Sequence, residues 1–163
     1  MGERPIRLFG DPVLRSPAEP IDRIDERIRR LVDDLLAAVA LPGRAGVAAP
    51  QIGVGLRAFS YNVDGEIGYL LNPELVEVSG EPLLLGEGCL SVPELWFETP
   101  RFPFACVRGS DLDGEVIELS GEGLMAQALQ HETDHLDGRL YLDRLDPDAR
   151  RRAMKLVRDS HWF

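Results

Sequence analysis

The chain has 163 residues, 44% of them hydrophobic and 28% charged, a balance that fits one water-soluble globular domain and excludes disordered or collagen-like polymers. Its 18 basic and 28 acidic side chains leave a formal charge of −10, so the surface as a whole repels nucleic acid and any such contact needs a local basic patch. Two cysteines, Cys89 and Cys106, are too few for a disulfide framework. With no apolar leader and no run of about 20 apolar residues, the expected location is cytoplasmic and reducing, away from membranes.

Residues 1–20 carry Pro5, Pro12, Pro17 and Pro20, a spacing that prevents regular helix and predicts an extended segment across the body. From Asp22, the expected N-cap, the residues Ile24, Ile28, Leu31, Leu35 and Val39 recur at helical spacing, and Pro42 and Gly43 end the pattern. Apolar runs at 56–63, 67–71 and 75–78 read as antiparallel strands separated by turns at Asp64-Gly65 and Asn72-Pro73. A further hairpin is expected between 105–109 and 115–119, around Asp113-Gly114. A second helix is predicted from Glu122 to Asp137, with Gly138 just past its end, and a third after Pro147. The sum is an α+β fold, a single domain over residues 1–163 with antiparallel strands packed around a central helix.

That central helix carries chemistry. Leu124, Ala128, His131 and His135 share one side, with Met125, Leu129, Glu132 and Leu136 beside them, so two histidines and a glutamate fall in the stripe that faces the core. Gln127, Gln130, Thr133, Asp134 and Asp137 are left for the solvent side. Burying an unpaired carboxylate costs several kcal/mol, which demands a compensating partner. The segment His131-Glu132-Thr133-Asp134-His135 is an H-E-x-x-H pentapeptide, whose histidines lie about 5–6 Å apart at Cβ and can share one metal ion. Glu132, about 100° round the helix, then sits beside the metal rather than on it, placed to take a proton from water. A chance match with hydrogen-bonded histidines is the competing reading, and the inward placement weighs against it.

A hydrolytic metal site with one open position needs a third protein ligand. Zinc peptidases with this motif take it from downstream, yet residues 136–140 supply no histidine and His161 lies near the chain end. Upstream, Cys89 stands between turn-prone residues in Glu87-Gly88-Cys89-Leu90-Ser91. Its alternative is a buried strand thiol, a description that suits Cys106 well.

Three segments in order resemble the motifs of peptide deformylases, metal amidases that remove the formyl group from N-formylmethionine on nascent bacterial and organellar proteins. They are Gly46-Val47-Ala48-Ala49-Pro50-Gln51, Glu87-Gly88-Cys89-Leu90-Ser91 and Gln130-His131-Glu132-Thr133-Asp134-His135-Leu136. The likeness covers nearly the whole chain, and phrases such as Asp111-Leu112-Asp113-Gly114 look most like actinobacterial members. The resemblance implies that Cys89, His131 and His135 bind one divalent metal, physiologically Fe(II) as a rule, with Zn(II), Ni(II) and Co(II) also suited to the donors. It implies Glu132 as the base, with the Gln51 amide and the Leu90 backbone N–H as donors to the developing oxyanion.

Gly46 fits a close approach of substrate backbone, and Leu124 with Ala128 fits either a pocket for the methionine side chain or plain core packing. Arg44 and Trp96 depart from the family pattern, which usually has glycine and arginine there, and Glu87 is expected to pair with Arg101 in support of the cysteine loop. The basic run 149–155 is either a solvated helix face or a contact with the ribosome. The partners otherwise implied are N-formylmethionyl nascent peptides, with no membrane and no free nucleic acid. Competing functions are a general zinc peptidase, with a third ligand other than Cys89, and a degenerate member whose metal only stabilises a binding protein.

Overall fold

A computed structural model describes residues 4–163, so the segment expected to be extended is seen from Arg4 onward, residues 1–3 lying outside the described residues. It is irregular apart from one 3-10 turn at Pro12–Leu14 and an isolated parallel bridge between Glu19 and Leu56. Helix α1 spans Glu26–Val39 and is capped by Asp25, whose carboxylate accepts the Ile28 N–H at 3.2 Å, not by Asp22 as expected. The reason lies further along the chain: Asn72 accepts from the Ile21 N–H at 2.8 Å and donates to its carbonyl at 2.9 Å, pinning the chain just before Asp22.

The strands are β1 Gly46–Ala48, β2 Ala58–Val63, β3 Glu66–Ser79, β4 Leu83–Cys89, β5 Val92–Arg101, β6 Phe104–Ser110 and β7 Val116–Glu122. All pairings between them are antiparallel, in a five-stranded sheet ordered β1-β2-β3-β6-β7 and a separate β4-β5 hairpin. The expected turn at Asn72-Pro73 is instead a bulge inside one long β3: the register shifts between Leu71 and Glu74, and Asn72 takes a φ of 49°. The β4-β5 hairpin escaped the periodicity reading because Gly86, Gly88, Pro93 and Pro100 interrupt it with strand-poor residues.

Alternation along the strands sends successive side chains to opposite faces of the large sheet. Val47, Ala58 and Leu71 meet Leu31, Leu35 and Ala38 of α1, whereas Ala48, Phe59 and Leu70 meet Ala126, Leu129 and Leu136 of helix α2, Gly123–Leu136. The far side of α2 is covered by the β4-β5 hairpin and by a 3-10 turn at Tyr141–Arg144, and helix α3, Pro147–Arg158, packs in turn on that 3-10 turn and on β5. Packing on both sides corrects the expectation that Gln130, Thr133 and Asp134 face solvent, because all three are buried. Each is hydrogen-bonded: Gln130 bonds the Phe102 N–H and carbonyl, Thr133 donates to the Leu129 carbonyl, and Asp134 accepts from two arginines. The hairpin around Asp113-Gly114, the third helix and the left-handed Gly138 beyond α2 form as predicted, Gly138 with a φ of 77°. Among the described residues, no helix is long and apolar enough to cross a membrane.

Candidate metal centre

His131 and His135 lie one turn apart on α2, their ring centroids separated by 4.9 Å. Cys89 reaches them from the end of β4, where a register shift between Glu87 and Cys89 turns the strand, and its Sγ lies 3.4 Å from His135 Nε2. Ligand atoms of Cys89, His131 and His135 all fall within 4.8 Å of one another. Two buried polar atoms there, Glu132 Oε1 and His135 Nδ1, have no hydrogen-bond partner among the described residues. Converging sulfur and imidazole donors flanked by unsatisfied polar atoms fit a divalent cation. His161 does not join them; it lies exposed, 3.5 Å from Glu94.

One of the three donors, His131, is held from behind. Glu87 Oε2 meets His131 Nδ1 at 2.5 Å, leaving Nε2 as the nitrogen available to the cluster. Arg101 grips the same carboxylate with two hydrogen bonds, 2.9 Å from Nε and 2.6 Å from Nη2, as expected for the Glu87–Arg101 pair. Its Nη1 donates to Asp134 at 2.8 Å, and Arg144 holds the other Asp134 oxygen at 2.6 Å. Burial alone would raise the Glu87 carboxyl, but Arg101 and His131 outweigh it and hold it at about 2. Asp134, Arg144 and Tyr141, which stacks over His131 at 6.3 Å, were not anticipated as parts of the site. A buried acid three residues after His131 carried a signal only in its need for a cationic partner.

Glu132 is buried, and burial lifts its carboxyl to about 7. Its space exists because residue 46 is glycine: a Cβ on Gly46 would lie 2.6 Å from Glu132 Oε2 and 2.9 Å from its Cγ. The close approach seen at Gly46 is thus that of Glu132. Burial also pushes His135 well below its ordinary value, favouring the neutral imidazole that a cation requires.

Gln51 is buried in a 3-10 turn, Ala49–Ile52. Its Oε1 accepts from the Ala48 N–H at 3.0 Å, which turns the NH2 end toward Ser91 Oγ at 3.1 Å and Cys89 Sγ at 3.7 Å. These groups open onto a cleft of about 870 Å³ whose lining includes Gly46, Leu90, Leu124 and Ala128. Leu124 is half exposed there and so does not serve plain core packing. Arg44 and Trp96 also line the cleft, with Arg44 donating to the Ala38 carbonyl at the end of α1 at 2.9 Å. Cys106 is a buried thiol on β6, away from the cluster.

An H-E-x-x-H helix backed by a five-stranded antiparallel sheet and faced by a cysteine-bearing hairpin defines a metal-dependent hydrolase. The family model for polypeptide deformylase matches residues 3–151, and the chain belongs to that family. It is 49% identical to a peptide deformylase of Acidothermus cellulolyticus over 99% of this chain and 89% of the relative. It is 42% identical to peptide deformylase 1 of Corynebacterium efficiens over 100% of this chain and 99% of that one. The crystal structure of a peptide deformylase from Legionella pneumophila superposes with a TM-score of 0.89 at 36% identity, covering 97% of this chain and 95% of that one.

Proposed function

We propose that the chain, as one catalytic domain over residues 1–163, hydrolyses the formyl amide of N-formylmethionyl nascent peptides, releasing formate and a free methionyl amino terminus. The observation that carries this reading is the convergence of Cys89, His131 and His135 beside Glu132, whose buried Oε1 has no hydrogen-bond partner among the described residues, at an open cleft. Cys89, His131 and His135 hold the metal, Fe(II) under physiological conditions, which when bound polarises the formyl carbonyl and makes water more acidic. A thiolate ligand beside Fe(II) suits a reducing, cytoplasmic location.

Glu132 accepts the proton of the attacking water and returns it to the departing amine. The NH2 end of Gln51 and the Leu90 N–H stabilise the negative charge that grows on the formyl oxygen, Gln51 being aimed by its bond from Ala48. Leu124 and Ala128 form the wall that receives the methionine side chain, and Gly46 borders it.

Membranes and free nucleic acid are not partners in this reading. For the basic run 149–155 we favour a solvated helix face over a ribosome contact. Arg150 is paired with Asp143, Arg151 with Asp148 and Lys155 with Asp159, which neutralises most of its charge. Charge reversal of Arg150, Arg151 and Arg152 is therefore expected to leave co-sedimentation with ribosomes unchanged.

The deciding experiment is anaerobic formate release from formyl-Met-Ala-Ser by Fe(II)-loaded protein, paired with metal analysis. Release that stops in Glu132→Ala supports the assignment. No release from the loaded protein, or an unchanged rate in Glu132→Ala, overturns it. Cleavage of unblocked peptides would indicate a general zinc peptidase instead.

A further inference from the structure

Trp96 is the largest exposed apolar side chain on the cleft, 69% accessible although it projects from a paired strand. Its ring lies against β4 across two glycines. A Cβ on Gly86 would meet the indole Nε1 at 2.4 Å, and one on Gly88 would meet Cε3 at 2.8 Å, so the ring spans both residues and a side chain at either would have to displace it. Gln127 Nε2 donates to the Gly86 carbonyl at 2.9 Å, anchoring that segment of β4 to the same helix that carries His131 and Glu132. The result is a flat aromatic surface supported from behind and facing the cleft, with no ring among the described residues stacked on its outer side. Nearby, Glu94 is engaged with His161, and Leu95 and Leu124 add apolar lining.

Building on the deformylase reading, we propose that Trp96 is a specificity-determining residue whose outer face receives a large apolar or aromatic side chain from one of the two substrate residues that follow formylmethionine. A neutral aromatic plane gains by covering apolar surface and by offset stacking, and it offers no charge for an acidic side chain to pair with. The metal ligands and Glu132 act on the formyl group in every substrate, whereas this surface discriminates between chains that share the same first residue.

The test is kcat/KM for formyl-Met-Phe-Ser and formyl-Met-Ala-Phe relative to formyl-Met-Ala-Ser. The expected preference for at least one phenylalanine peptide is about three- to tenfold, expressed in KM. Trp96→Ala brings that ratio to about one, Trp96→Phe restores part of it, and Gly86→Val, which displaces the indole, resembles Trp96→Ala. Binding of the product peptides Met-Phe-Ser and Met-Ala-Phe, read by quenching of tryptophan fluorescence, loses the Trp96 component in Trp96→Ala. Formate release with a ratio unchanged by Trp96→Ala, or a Trp96-dependent preference for lysine or glutamate in place of phenylalanine, overturns the proposal. Absence of formate from all three peptides sinks the deformylase reading instead, and the quenching experiment then still reads the aromatic surface.

Discussion

Glu132 and Gly46 form a pair that neither residue explains alone. The glutamate is buried without a partner on Oε1, and it fits only because β1 presents no side chain at position 46. Glu132→Gln keeps the volume but removes the proton acceptor, so formate release is expected to fall by about 10²-fold or more with metal content unchanged. Gly46→Ala tests placement instead of chemistry. The added methyl collides with the carboxylate, and a shift of about 1 Å in a reacting group is expected to lower kcat by about 10²-fold while circular dichroism shows the fold intact. A rate in Gly46→Ala equal to that of the parent protein would show that Glu132 moves aside without consequence.

Between elements, the decisive contacts are ionic and buried. Arg101 on β5 bonds Glu87 on β4 and Asp134 on α2, so one guanidinium ties the hairpin that carries Cys89 to the helix that carries both histidines. Removing the cation leaves two buried carboxylates without it, and Arg101→Met is expected to cost about 3–5 kcal/mol in urea unfolding. A second junction is Asp143 in the 3-10 turn, which accepts from Arg15 at 2.6 Å and from the Leu140 N–H at 2.9 Å, with Arg150 of α3 at 3.1 Å. Burial would raise its carboxyl, but these donors outweigh it and hold it below the ordinary value. Because the unfolded chain takes up this proton at a higher pH than the folded one, the stability it confers is fully present above the ordinary carboxylate range. That stability is lost as pH falls through the folded value. Asp143→Asn should therefore flatten the acid limb of the stability profile in denaturant melts at successive pH values, while a limb of unchanged slope would place the acid sensitivity elsewhere.

At the scale of the molecule, α2 is the shared interior of two packed layers, the large sheet on one side and the hairpin with the 3-10 turn at Tyr141–Arg144 on the other. Of the three residues that could hold a metal, the helix carries two and the hairpin one. A cation bound by all three exists only in the folded chain and so stabilises it by mass action. Stripping the protein with a chelator is expected to lower Tm by about 5–10 °C in scanning calorimetry, and re-addition of Fe(II) or Zn(II) should restore it. In Cys89→Ser that recovery should be weaker, since a hydroxyl is a poorer ligand than a thiolate for these ions.

The sequence by itself determined the elements whose information is local. The i and i+4 histidines, the apolar stripe of α1, the Asp113-Gly114 hairpin and the Gly138 stop are written in residue spacing, because a helix or a tight turn is built from neighbours. The motif order around Cys89 and Gln51 carried the family likeness in the same way. Only the tertiary structure decided which polar residues of α2 are interior, since Gln130 and Asp134 face what periodicity marks as solvent and are paired with the β5–β6 connection and with arginines. It also decided that Asn72 bulges a strand instead of ending it, that Gly46 makes room for Glu132, and that Trp96 lies over Gly86 and Gly88. Each of these depends on strand register and on packing across layers, where one residue of slip changes every partner, and no local pattern encodes that choice.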